Sequence, residues 1–215
     1  LKNVFVLRVN DYRPDLCRYT IPTVKLWASR IGARYTEITT RVFPEWPVTY
    51  EKLQVHRLGV GADWNILVDA DFMLHPELPD FTETLDRNTV GMHYGFNAST
   101  MFMNDIYFER DGRDLGIAGG FVITSRLTHD LWTPLEFDWQ TARQRLRREF
   151  IVDEYCLSRN LAKFGLYHSG VERGPEIAEK MIHIGNEEKT DTERALDVET
   201  ARRIYLDWFG REPEE

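Results

Sequence analysis

Three short apolar runs at regular spacing constrain this chain more than any other feature. "NVFVLRV" begins at residue 3, "RYTEIT" at 34 and "WNILVDAD" at 64, ending at 9, 39 and 71. Each is β-branched or aromatic and short, the pattern of a buried strand. Two helical stretches fill the gaps. "TIPTVKLWASRIG" (20–32) has Thr20 as cap, Pro22 in its first turn and Gly32 closing it, and "TYEKLQVHRLG" (49–59) has Thr49 as cap. A β-α-β-α-β order at such spacing requires parallel strands joined by right-handed crossovers.

The second half is less regular. Strands are expected at 89–94 and 119–125, and Ser125 is placed to cap "RLTHDLW". A helix follows at 153–165, then short strands in "LYHS" and "KMIHIG", and a terminal helix at 198–210. The fold class is α/β, with a Rossmann-like N-terminal half and a mixed central sheet. The 215 residues show no repeat, low-complexity tract or linker, so one domain over 1–215 is expected.

Composition narrows the function. Apolar residues at 42% and charged ones at 29% are ordinary for a globular protein, and a net charge of -8 argues against nucleic acid as partner. Aromatics at 13% suit pockets for flat or sugar-like ligands. Two cysteines, Cys17 and Cys156, fit free thiols in a reducing, cytoplasmic compartment, with a pairing of the two left open. No run is long enough to span a bilayer and no signal peptide is visible. The dense basic run "ARQRLRREF" (142–150) reads as a solvated helix face. Its alternative, contact with an anionic acceptor or membrane phosphates, would make the chain peripheral at a membrane.

In open α/β sheets ligands collect beyond the carboxyl ends of the strands. The first strand ends at Asn10, Asp11 and Tyr12, and the third at Asp69, Ala70 and Asp71. On a strand, residues i and i+2 share a face, so Asp69 and Asp71 are expected to converge. Two adjacent carboxylates repel unless a cation or proton lies between them. A hard divalent cation, Mg²⁺ or Mn²⁺, with a bound phosphate is the natural partner. The plainer alternative is a strand-to-loop junction where aspartates cap backbone N–H groups. This is the only Asp-x-Asp triplet in the chain.

Other candidates carry alternatives too. Lys52, on the helix face before the third strand, could reach a phosphate or base; by residue type a surface lysine is the better reading. Gly119 and Gly120 mark close approach of backbone to a ligand, or a bulge. An Asx turn before Pro14 accounts for Asn10 and Asp11 without excluding a ligand.

The segment "KLQVHRLGVGADWNILVDADFMLHPEL" resembles the metal-binding Asp-x-Asp segment of GT-A-fold glycosyltransferases. Three further stretches match in order. "GIAGGFVITS" is similar to the segment lining the donor sugar, "VDEYCLSRNLAKFG" to the helix start that brings a carboxylate or amide to the reaction centre, and "HIGNEEK" to the late His element of retaining family 8 enzymes. The likeness covers about residues 3 to 190, and families 8, 34 and 6 each share part of the pattern. Two departures stand out. Gly185 follows His183 by two residues where family 8 has three, although Lys189 keeps its spacing of six, and Ala118 replaces the usual Asn or Asp before the glycine pair.

The resemblance implies a metal-dependent transfer of a sugar from a nucleotide diphosphate sugar, UDP-linked, to a saccharide or other hydroxyl acceptor. It implies Asp69, Asp71 and His183 as ligands of Mn²⁺ or Mg²⁺. The donor-binding set would be Asn10, Asp11, Tyr12, Lys52, Ala70, Gly119, Gly120 and Lys189, the last neutralising the diphosphate. Glu154 would face the donor sugar as the catalytic group while Asp153 caps and orients the helix. A non-enzymatic sugar- or nucleotide-binding relative, a metal-dependent phosphohydrolase with Asp69 as nucleophile, and a sugar nucleotidyltransferase are the rivals. The last lacks its Gly-rich loop after "FVLRV".

Overall fold

The structure, a computed structural model, describes residues 1–93, 103, 105–111, 116–171, 175–185 and 190–214, with the side chains of 110 and 111 excepted. In chain order its regular elements are β1 (Lys2–Leu7), α1 (Pro14–Arg30), β2 (Arg34–Ile38), α2 (Val55–Leu58), β3 (Trp64–Asp69), β4 (Phe72–Leu74), β5 (Thr89–Met92), α3 (Ile106–Asp111), β6 (Phe121–Ser125), α4 (Trp139–Arg143), α5 (Val152–Lys163), β7 (Tyr167–Gly170), α6 (Pro175–Ala178), β8 (Met181–His183) and α7 (Asp191–Phe209). Six strands form one sheet in the order β2-β1-β3-β6-β5-β7, and β4 and β8 form a separate two-stranded ladder.

The N-terminal half is as its spacing requires. β1 runs parallel to β2 and to β3, with Leu7 opposite both Ile38 and Asp69. The sheet then turns mixed: β6 is antiparallel to β3 and β5, while β5 and β7 are parallel. Alternation along β1 divides the core. Val4 and Val6 pack with Trp27 of α1 on one face, Phe5 and Leu7 with Leu53 and Leu157 on the other. A third cluster, with Leu16, Met73, Ile184 and Tyr205, joins α1, α7 and the β4–β8 ladder.

Several boundaries differ from expectation, and tertiary contacts explain them. The first helix starts at Pro14, not Thr20, so Pro22 lies inside it. Thr20 caps nothing; its hydroxyl donates to the Ala70 carbonyl at 2.5 Å. Residues 48–54 form a 3₁₀ turn with no side-chain cap, and the Thr49 hydroxyl donates instead to Phe150. Gly32 closes α1 as expected, at φ +67°. β3 stops at Asp69, and Ala70 and Asp71 form a turn into β4, a strand the sequence pattern did not announce. Gly119 and Gly120 precede β6 as a turn, and β5 is described only to Met92 with Tyr94 outside the described residues.

Ser125 caps the 126–132 segment through Leu127, in a capping box with Thr128. α7 begins at Asp191 behind its own capping box, Thr190 with Glu193, rather than at 198. Residues 142–150 are not one solvated helix: Arg145 pairs with buried Asp105, and Arg143 with Glu149. Both cysteines are buried, free thiols. No described helix is long and apolar enough to cross a membrane.

Candidate active site

Among the described residues Tyr12, Lys52, Asp69, Asp71, Gly119, Asp153, Glu154 and His183 come together where β1 and β3 end, but the two aspartates take different partners. Because β3 ends at Asp69, the pair does not lie along one strand. The turn at Ala70 sends Asp69 one way and Asp71 another. Ala70 itself is buried, its carbonyl turned to Thr20 of α1.

Asp69 belongs to a cluster around Lys52. The lysine is buried, and its Nζ lies 2.8 Å from Asp69 Oδ1, 2.9 Å from Asp69 Oδ2, 2.8 Å from Asp153 Oδ2 and 3.2 Å from the Gly119 carbonyl. Lys52 is thus no surface lysine. Burial works to lower its pKa, but the facing Asp153 and Asp69 outweigh burial and hold it well above the usual lysine range. For Asp69 the balance goes upward: burial raises its pKa, Asp71 and Asp153 add to the rise, and Lys52 offsets only part.

Asp153 therefore does not cap α5, which has no side-chain cap; it spends its carboxylate on Lys52. The adjacent Gly119 follows from this. A Cβ there would sit 2.5 Å from Asp153 Oδ2, so the close approach that demands glycine is made by a carboxylate. The Gly119 N–H donates to Glu154 Oε1 at 3.2 Å, which ties the second acidic residue of α5 to the same turn. Gly120 lies against the Phe72 ring and Asp69.

Asp71 belongs to a second cluster. The Tyr12 hydroxyl donates to its Oδ2 at 3.2 Å, and His183 Nε2 lies 3.3 Å from its Oδ1. The β4–β8 ladder makes this meeting. Its register puts Phe72 opposite His183, the Ile184 N–H donates to the Asp71 carbonyl, and the His183 ring stacks on Phe72 at 4.6 Å. Burial opposes both charges, yet contact with His183 lowers the Asp71 pKa and contact with Asp71 raises that of His183. Burial and the nearby Asp71 and Asp69 push the Tyr12 phenol far up, so it stays a proton donor.

Gly185 completes this wall; a Cβ there would come within 1.7 Å of Asp71 Oδ2. Spacing departs from the family 8 pattern at Gly185, and that departure was the one sequence signal pointing to it. Asn10 and Asp11 lie exposed on the rim, in left-handed conformations at φ 56° and 51°. Lys189 lies outside the described residues.

Could Asp69, Asp71 and His183 hold a cation? Among the described residues no three His, Cys, Asp or Glu side chains are gathered as a ready-made metal site, since Asp69 is turned to Lys52. One feature does fit a cation. Asp71 Oδ1 is buried and, among the described residues, lacks a well-aligned hydrogen-bond donor, with His183 Nε2 3.3 Å away. A buried carboxylate oxygen beside an imidazole offers one oxygen and one nitrogen donor of the kind that bind a divalent cation.

No family model matches this chain, and neither does any curated protein. Its likeness is to solved structures. A glycosyltransferase involved in the glycosylation of the major capsid of PBCV-1 superposes with TM-score 0.56 at 10% identity, covering 94% of this chain and 99% of that one. The galactosyltransferase LgtC, solved in complex with donor and acceptor sugar analogs, gives TM-score 0.55 at 10% identity, covering 97% and 96%. At such identities the likeness establishes the fold: this chain has the GT-A fold of these glycosyltransferases, with its six-stranded mixed sheet, as the motif order implied.

Proposed function

We propose that residues 1–215 form one glycosyltransferase domain that moves a sugar from a nucleotide diphosphate sugar, UDP-linked, to a saccharide or other acceptor hydroxyl, with Mn²⁺ or Mg²⁺ as cofactor. The observation that carries the reading is the buried Oδ1 of Asp71, without a well-aligned donor among the described residues, beside His183 at the strand rim where this fold takes its ligands. Asp71 and His183 would hold the cation, joined by Asp69 on the far side of the turn. The imidazole tilts the choice toward Mn²⁺. When bound, the metal supplies Lewis acidity for the departing diphosphate.

The chain's own groups do the rest. Lys52 meets Asp69 and Asp153 together and offsets part of the charge of the acidic rim. Tyr12, kept protonated, donates to Asp71 and fixes its carboxylate plane. Asn10 and Asp11 offer polar side chains to the nucleotide on the exposed rim. Glu154, anchored through the Gly119 N–H, faces the donor sugar as the acid/base or stabilising carboxylate. Support for a donor and an acceptor comes from the matched galactosyltransferase, solved with analogs of both.

The test is release of UDP from a panel of UDP-sugars with Mn²⁺, repeated with chelator and with Asp71→Asn. Release that both treatments abolish is the expected result. A chain that binds donor with metal yet releases nothing under any acceptor is a binding relative and no transferase. Failure of every nucleotide sugar to bind in the presence of metal overturns the proposal.

A further inference from the structure

The loop between β1 and α1 holds an unusual backbone. Asn10, Asp11 and Arg13 all have positive φ, at 56°, 51° and 36°, and none is glycine. Asn and Asp tolerate the left-handed region and an arginine rarely adopts it, so Arg13 persists there only where surrounding structure over-determines it. The segment also has work to do, since Tyr12 within it donates to Asp71.

Arg13 supplies the restraint. Its guanidinium lies 3.0 Å from Asp197 Oδ2 and donates at 2.9 Å to the Arg194 carbonyl, both on α7. The pair is nearly buried, with side-chain exposures of 12% and 10%. At its backbone, the Arg13 carbonyl accepts from the Leu16 and Cys17 N–H groups and so starts α1. α7 in turn packs Tyr205 and Ala201 against Met73 and Ile184, residues of the β4–β8 region that carries Asp71 and His183. Arg13 therefore ties the strained loop to the helix that backs the ladder opposite it.

We propose that Arg13, with Asp197, is a positioning pair that holds Tyr12 on Asp71 and so sets donor affinity from the C-terminal helix. The proposal rests on the donor-site reading above. Arg13 touches neither donor nor metal; it acts through Tyr12. A two-pronged guanidinium suits this role because its planar fork fixes direction as well as distance.

The experiment compares Arg13→Ala, Tyr12→Phe and the double variant. Readouts are UDP–Mn²⁺ affinity, kcat at saturating donor, and amide hydrogen exchange across residues 8–17. Arg13→Ala should weaken UDP binding roughly tenfold, the scale of one lost charge-assisted hydrogen bond. The value of kcat should stay within about twofold, as expected when ground-state positioning is lost. Exchange at 9–13 should quicken. The double variant should bind no worse than Arg13→Ala alone, because both changes remove one linkage.

Additive losses, or unchanged exchange in Arg13→Ala, overturn the proposal. If that variant does not fold, Asp197→Asn, which leaves the guanidinium its Arg194 carbonyl, gives the graded form of the same measurements. A wild-type chain that binds no nucleotide sinks the functional reading, while the exchange comparison still decides whether Arg13 holds the loop.

Discussion

Asp69 and Asp71 are separated by one residue, yet the fold gives their charges opposite employment. Asp69 faces a buried ammonium that it shares with Asp153, and both its oxygens lie within 2.9 Å of that cation. Asp71 faces a phenol and an imidazole, and its Oδ1 lacks a well-aligned donor among the described residues. The first carboxylate belongs to the scaffold as well as to the rim; the second is left over from the scaffold's needs. In this chain the two carboxylates of the Asp-x-Asp triplet face different partners on either side of the turn at Ala70.

The sharpest way to break this comparison is to remove the cation on the Asp69 side. Lys52→Met leaves Asp69 and Asp153 as facing carboxylates without their counterion. Removing one partner of a buried ion pair costs about 3–5 kcal/mol, so the urea midpoint should fall steeply. A Lys52→Met chain as stable as wild type would show that the cluster carries no structural load.

The Asp71 side should respond in the other currency. Asp71→Asn should cut metal-dependent turnover by more than about two orders of magnitude, the scale of a lost electrostatic clamp on developing charge, while leaving stability close to wild type. The amide can still accept from Tyr12, so the loop keeps its bond. Calorimetry with UDP and Mn²⁺, beside a denaturation curve, separates the two effects. A variant that keeps Mn²⁺-dependent UDP binding removes Asp71 from the metal set.

The two sides were unequally legible in the sequence. β1, β2, β3 and the rim followed from local pattern, because a strand–helix–strand repeat declares itself through periodicity alone. Asp69 and Asp71 stood out as carboxylates ending the most apolar run. What stayed hidden was long-range. β4 exists because β8 pairs with it across more than a hundred residues, Leu74 meeting Met181, and no window of sequence contains that pairing. Thr20 and Thr49 look like caps, yet each spends its hydroxyl on a distant carbonyl, Ala70 and Phe150. Lys52 looked like a surface residue by type, and only the approach of α5 with Asp153 makes its burial tolerable. Motif order reached the fold where 10% identity to the solved structures left little else to align.

The two acids at the start of α5 offer a subtler version of the same contrast. Asp153 is committed to Lys52, whereas Glu154 meets the Gly119 N–H at the rim. Glu154→Gln should lower turnover by about two orders of magnitude, the usual scale for a lost acid/base group, with donor affinity nearly unchanged. Asp153→Asn should lose stability first, since it weakens the hold on a buried lysine. Equal turnover losses with equal stability losses in the two variants would remove the division of labour.

The smallest effect is expected at Glu136, a half-exposed carboxylate on the buried Arg159, which serves as control for the fully buried pairs. Glu136 meets the Arg159 guanidinium at 2.5 Å and Lys163 at 3.4 Å, with half of its side chain exposed. Partial burial pushes its pKa up, but the Arg159 hydrogen bond and charge prevail and hold it down at about 2, below its usual 4.5. A carboxyl whose pKa is lower folded than unfolded adds stability that is fully present above the unfolded value. That stability is lost as pH falls through the folded one. The stability difference between wild type and Glu136→Gln should therefore be constant above about pH 5 and shrink toward zero near pH 2. Because water screens the exposed half, the plateau should not exceed about 1 kcal/mol. Urea midpoints of both chains across that range give the difference directly, and acid effects common to the two cancel. A difference that is the same at pH 7 and pH 2.5 would assign the contact to packing of the Glu136 stem rather than to its charge.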